Sequence, residues 1–156
     1  MDIVLPDRES IELMHEAVLL YSGGKSGVHE EKLILSAIQR PATYVQYVDE
    51  YDLDTICALL IDSVARYHGY KDGNKRTALM TAIFTYKVNG VHFKATAAMN
   101  VDFDELVMWV VNSKPEIDEI SDRLKSLRKL HEGNEETWAA VLAAFVSSKI
   151  GIRHKG

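Results

Sequence analysis

The chain has 156 residues, 47% of them hydrophobic, only three prolines and a formal net charge of -5. That length suits one domain with a real core, and the composition excludes a disordered chain. The acidic balance excludes a generally basic surface, so no nucleic-acid partner is expected.

The single cysteine, Cys57, has no partner for an internal disulfide and sits in an apolar helical run, as a small core residue would. No signal-like opening and no apolar run near the roughly 18 residues of a membrane span are visible, so we expect a cytoplasmic protein with no membrane partner.

In chain order, Ile11, Met14, Val18 and Tyr21 share one face and predict a helix over Asp7 to Tyr21, ended by Ser22-Gly23-Gly24. A second helix is predicted from Glu30 to Gln39, closing before Pro41. Ala42 to Val48 is β-branched and aromatic and reads as a short extended flap or hairpin strand. Asp54 to Tyr67 carries Ile56, Leu59, Leu60 and Val64 at helical spacing, widened by Cys57 and Ile61, which predicts a heavily buried helix.

Lys75 to Asn89 repeats the pattern up to Gly90, a left-handed stop. A short strand is predicted at Val91 to Lys94, then helices at Phe103 to Val111 and Pro115 to Leu130. A last helix is expected over Glu135 to Lys149, before a basic end at Arg153-His154-Lys155. Trp109 and Trp138 read as packing residues on apolar faces, and the remaining histidines have no metal-ligand spacing. There are no internal repeats or linkers, so we read one domain over 1–130 and a helical extension over 131–156.

Between the third and fourth helical patterns lies His68-Gly-Tyr-Lys-Asp-Gly-Asn-Lys-Arg-Thr-Ala78. Asp72-Gly73 is the dipeptide of a hairpin turn, but a hairpin needs period-two flanks and both flanks here are helical. The turn therefore joins two helices, with Asn74 or Asp72 near the cap of the second. Unpaired N–H groups at residues 73–76, aided by the helix dipole, would form an anion site that Gly73 lets a phosphate approach. Lys75 and Arg76 occupy a first turn where cations are mildly unfavourable, a local-rule violation that a bound polyanion would offset.

Asp72, beside those phosphates, suits Mg²⁺, which takes a carboxylate together with substrate oxygens. His68 is the group there that can accept a proton near neutral pH. Tyr70 reads as a core anchor of the turn, and Arg66 as facing either the site or solvent. Gly24-Lys25-Ser26 mimics the end of a phosphate loop, but Leu19 sits where the first glycine belongs and a helix precedes it. We set it aside as a nucleotide site.

The run from His68 to Ala78 resembles the signature of the Fic/Doc superfamily, and its Asn74-Lys-Arg-Thr-Ala78 form resembles the Doc (death-on-curing) toxin branch. The resemblance covers roughly Ile3 to Leu130. It implies an all-α fold, a Fic-type helical bundle with a short β-hairpin flap. It also implies Mg²⁺ and ATP, or another nucleoside triphosphate, used to modify a protein hydroxyl. By the resemblance His68 would deprotonate that hydroxyl and Asp72 would bind the metal. Gly73, Asn74, Lys75 and Arg76, with Arg66 nearby, would hold the phosphates, and Thr43 to Val48 would align the target as an added strand.

AMP-transferring members resemble Gly-Asn-Gly-Arg followed by a further arginine, and here Lys75 and Leu79 stand in those places. Doc proteins share both departures. The resemblance therefore implies phosphoryl transfer to a threonine of translation elongation factor Tu, arrest of translation, and restraint by a separate antitoxin. Gly73 stands where Doc members often carry alanine, and Met80 where a polar residue facing the phosphates is expected. Protein adenylyl transfer is the alternative, and a non-catalytic helical binding module that keeps the anion pocket is a third reading.

Overall fold

The computed structural model describes residues 2–133, which form six helices: α1 (Arg8–Ser22), α2 (Glu31–Tyr47), α3 (Leu53–Arg66), α4 (Asn74–Val88), α5 (Ala97–Ser113) and α6 (Ile117–His131). Three of them start where a short polar side chain takes up a free N–H. Asp7 accepts from Ser10 N at 2.8 Å, Asp52 from Thr55 N at 2.7 Å and Thr96 from Met99 N at 3.1 Å. Thus α5 begins well before Phe103, because Thr96 caps it.

Helix α3 is the axis of the bundle. It packs on α2, α4, α5 and α6, and apart from Thr55 and Arg66 every residue of it is buried. A helix apolar on all sides is stable only when surrounded, and its three buried polar residues need partners. Asp54 accepts from the Tyr86 hydroxyl at 2.7 Å and pairs with Arg128 at 3.2 Å, tying α3 to α4 and α6. Asp62 pairs with Arg40 at 2.6 Å and Arg66 at 2.8 Å. Cys57 is fully buried, as expected of a core residue.

The extended flap expected at Ala42 to Val48 is not there: α2 runs on through Pro41 to Tyr47, so the second helix does not close before the proline. Proline lacks the N–H that would bond the carbonyl of Ala37. The Ser63 hydroxyl reaches that carbonyl at 3.1 Å while also lying 2.7 Å from the carbonyl of Leu59. Pro41 itself is buried, so tertiary packing outweighs its helix-breaking tendency. Nor do residues 91–94 form a strand. Only Phe93 makes a bridge, to Glu132, flanked by Lys94 N to His131 O at 2.8 Å and Gly133 N to His92 O at 2.9 Å.

Among the described residues, no helix is long and apolar enough to cross a membrane. The helix expected over Glu135 to Lys149, with Trp138, and the basic end lie outside them.

Candidate active site

The motif occupies the bend between α3 and α4. After Tyr67 caps α3, His68 takes a left-handed conformation with φ 56° and its side chain is exposed. Histidine seldom adopts that backbone, which costs about 1–3 kcal/mol and persists where the surroundings impose it. Those surroundings are visible two residues on. Tyr70 is buried, stacked on His15 with ring centroids 3.6 Å apart and planes 11° from parallel. Its hydroxyl donates to Glu12 at 2.9 Å and accepts from Arg8 at 3.0 Å, and Arg8 also holds Glu31 of α2 at 2.8 Å. Burial, and then the bond to Glu12, keep the Tyr70 phenol far above its usual pKa, so it stays protonated and pinned. Tyr70 is the anchor of the turn, as its sequence context suggested.

Neither Asn74 nor Asp72 caps α4. The cap is Gly73 at φ 79° and ψ 13°, a left-handed geometry natural to glycine. Asn74 reaches backward instead: its Oδ1 accepts from Tyr70 N at 3.1 Å and its Nδ2 donates to Tyr70 O at 2.9 Å. The amide closes the bend and leaves the N–H groups at the helix start without a side-chain cap.

Asp72 is exposed beside that start. Its Oδ2 accepts from Lys25 N at 3.1 Å and its Oδ1 from Gly73 N at 2.9 Å. Those two N–H groups, with Lys25 and Arg76 nearby, hold its carboxyl below the ordinary aspartate range. It is therefore ionised at neutral pH. Each oxygen keeps a lone pair, so a hard cation can be bound there.

A cavity of about 470 Å³ lies at the bend, a size usual for small-ligand sites. His68, Asp72, Gly73, Asn74, Lys75 and Arg76 line it, joined by Gly23, Gly24 and Lys71. Among the described residues, no carboxylate stands within ion-pair distance of Lys75 or Arg76. The cavity thus combines an imidazole, a carboxylate, two cations and an uncapped helix start. Such a set can hold a phosphate chain and accept a proton beside it. Among the described residues there is no cluster of three or more histidine, cysteine, aspartate or glutamate side chains able to hold a metal. A cation on Asp72 would draw its other ligands from a phosphate substrate and water, which is the habit of Mg²⁺.

Arg66 is absent from the lining; it is engaged with Asp62 instead. Met80 is fully buried, so it is a core residue rather than one facing the cavity. Sequence reasoning missed the contribution of the α1 side. Gly24 reads in the sequence as part of a phosphate-loop mimic and Gly23 only as a helix stop, yet both line the cavity. His15, passed over for want of metal-ligand spacing, is buried, and its Nε2 donates to the Asp72 carbonyl at 2.8 Å. The glycine pair after α1 was the available signal for the first; nothing local signalled the second.

The model of the Fic/DOC family matches residues 6–86. The toxin Doc of Mycolicibacterium smegmatis is 40% identical over 83 residues, which are 53% of this chain and 59% of that relative's length. The protein kinase doc of Escherichia phage P1 is 26% identical over 119 residues, 76% of this chain and 91% of that relative. The family match includes the entire bend from α3 into α4, and the six helices agree with an all-α fold.

Proposed function

The chain belongs to the Fic/DOC family, and on that premise we propose that it is a Doc-type toxin that transfers a phosphoryl group from a magnesium-bound nucleoside triphosphate to a protein hydroxyl. The observation that carries this reading is the convergence of His68, Asp72, Lys75 and Arg76 on one cavity at an uncapped helix start. The names of the two relatives, a toxin and a protein kinase, support it. So do Lys75 and Leu79, which depart from the AMP-transferring pattern in the way Doc proteins do.

In this mechanism the N–H groups of residues 74–76, with Lys75 and Arg76, grip the phosphates and offset their growing charge. Asp72 would hold Mg²⁺, which when bound would supply positive charge to offset that of the phosphate oxygens. His68 accepts the proton of a target threonine or serine hydroxyl. That oxygen bonds to the γ-phosphorus as the bond to the β-phosphate oxygen breaks, and nucleoside diphosphate leaves with the electron pair. Lys75 fixes which phosphorus faces the hydroxyl.

We propose translation elongation factor Tu as the target, arrest of translation as the outcome, a separate antitoxin as the restraining partner and the cytoplasm as the setting. Intact-mass analysis of elongation factor incubated with the protein, ATP and Mg²⁺ tests the chemistry. Addition of one phosphate, labelled from the γ position, is the expected result. Addition of a nucleotide labelled from the α position would replace this reading with adenylyl transfer, which Gly73 favours. An unmodified factor would remove this target.

A further inference from the structure

The peptide joining Asp72 to Gly73 lies at the anion mouth, both residues lining the cavity. In a planar trans peptide the C=O and N–H point in opposite directions, so fixing one fixes the other. Here the carbonyl turns inward to His15 Nε2 at 2.8 Å, and the N–H turns toward the Asp72 carboxylate at 2.9 Å. Glycine at the second position makes a flip of this peptide cheap, since no Cβ opposes a change in the sign of φ. A flip would aim the carbonyl oxygen at the incoming phosphates and take the N–H from Asp72.

His15 lies far along the chain from this peptide, on α1, and is itself immobilised. It is buried and stacked on Tyr70 at 3.6 Å, and Tyr70 is held through Glu12 and Arg8. The same helix ends at Gly23, and Lys25 just beyond donates to the other Asp72 oxygen at 3.1 Å. Two parts of the α1 region thus grip Asp72, one by its backbone and one by its side chain.

We propose that His15 is a positioning residue: its Nε2–H latches the Asp72–Gly73 peptide in the orientation that keeps the carbonyl oxygen out of the anion mouth and the N–H on the Asp72 carboxylate, which it holds set for a cation. The inference rests on the phosphate-site reading of that mouth. It predicts that the latch governs phosphate binding even where no metal or protein target takes part.

The test compares wild type, His15→Phe, which keeps an aromatic stack but has no donor, and His15→Gln, which restores one. Lys75→Glu with Arg76→Glu serves as the control for the mouth. Binding of inorganic tripolyphosphate without metal and of ATP with Mg²⁺ is measured by calorimetry. His15→Phe should weaken both about 10-fold, a magnitude usual for outer-shell partners of a site, and His15→Gln should recover part of the loss. Wild-type affinity in His15→Phe, with the control variant impaired, would overturn the latch and leave the mouth intact. Equal binding by wild type and the control variant would instead overturn the phosphate reading. If His15→Phe fails to fold, nitrogen-15 NMR of the wild-type imidazole decides the point. A proton on Nε2 with a coupling to the Asp72 carbonyl supports the latch, and a proton confined to Nδ1 excludes it.

Discussion

Asn74 and Tyr70 are joined twice, the asparagine amide accepting from the tyrosine N–H at 3.1 Å and donating to its carbonyl at 2.9 Å. This pair closes the bend that carries Asp72 and Gly73, and it explains why α4 is left with an uncapped start. Asn74→Ala strips both partners from a partly buried backbone, which costs about 1–3 kcal/mol. Chemical denaturation should show that loss. Asn74→Asp keeps only the acceptor and should fall between wild type and alanine; an alanine variant as stable as wild type would show the clamp to be idle.

His68 sits at φ 56°, where glycine is at ease and histidine is not. His68→Gly should therefore raise stability, by about 1 kcal/mol or less, while lowering the transfer rate by at least roughly 10²-fold. Opposite signs for melting temperature and rate identify a residue held in place for chemistry. Loss of stability would mean that His68 is a structural residue.

Lys75→Glu with Arg76→Glu likewise separates binding from folding. Acidic residues in the first turn of a helix are favoured by about 0.3–1 kcal/mol each at low ionic strength. The variant should melt higher than wild type yet lose ATP affinity, and rising salt should narrow the difference in melting. Retained affinity would place the phosphates elsewhere.

Gly24 has φ 125°, and a Cβ there would lie 2.8 Å from Asp72 Oδ2. Gly24→Ala must push that carboxylate away or move the loop behind α1. The Mg²⁺ concentration needed for half-maximal ATP binding should rise, and more steeply than binding of metal-free tripolyphosphate falls. Unchanged Mg²⁺ dependence would show that Asp72 has no part in holding the cation.

Part of the acid loss of stability should trace to Asp52, the cap of α3. Its carboxyl is depressed; burial acts against this, but the bonds to Thr55 and Lys125 prevail. A depressed carboxyl contributes stability that is full above the unfolded aspartate pKa near 3.9 and is lost as pH falls through the folded value. Wild type should thus lose stability below about pH 4, and Asp52→Asn should lose less over the same interval. Parallel curves for the two proteins would exclude the cap as a source.

Most of the candidate site was legible in the chain because the motif is contiguous. His68, Asp72, Gly73, Lys75 and Arg76 fall within nine residues, and helical flanks force such a segment into one bend. The helices of the core were legible for a similar reason, since apolar spacing at 3.6 residues is a local property. Pro41 was misread because its helix-breaking tendency is local while its burial, and the Ser63 hydroxyl beside the Ala37 carbonyl, are not. Arg66 lies outside the cavity lining because it pairs with Asp62, which Arg40 also reaches, and these three meet only in the packed structure. Asn74 reads as a cap in the sequence, but the bend brings Tyr70's backbone within its reach.

The sequence by itself determined which groups meet at the bend and that helices deliver them there, because periodicity and turn chemistry act over a few residues. Only the tertiary structure decided how Asp72 is aimed. Its carbonyl answers to His15 and its carboxylate to Lys25, both from the α1 side. Contacts between segments so far apart in sequence depend on how whole helices pack, and no local pattern records that.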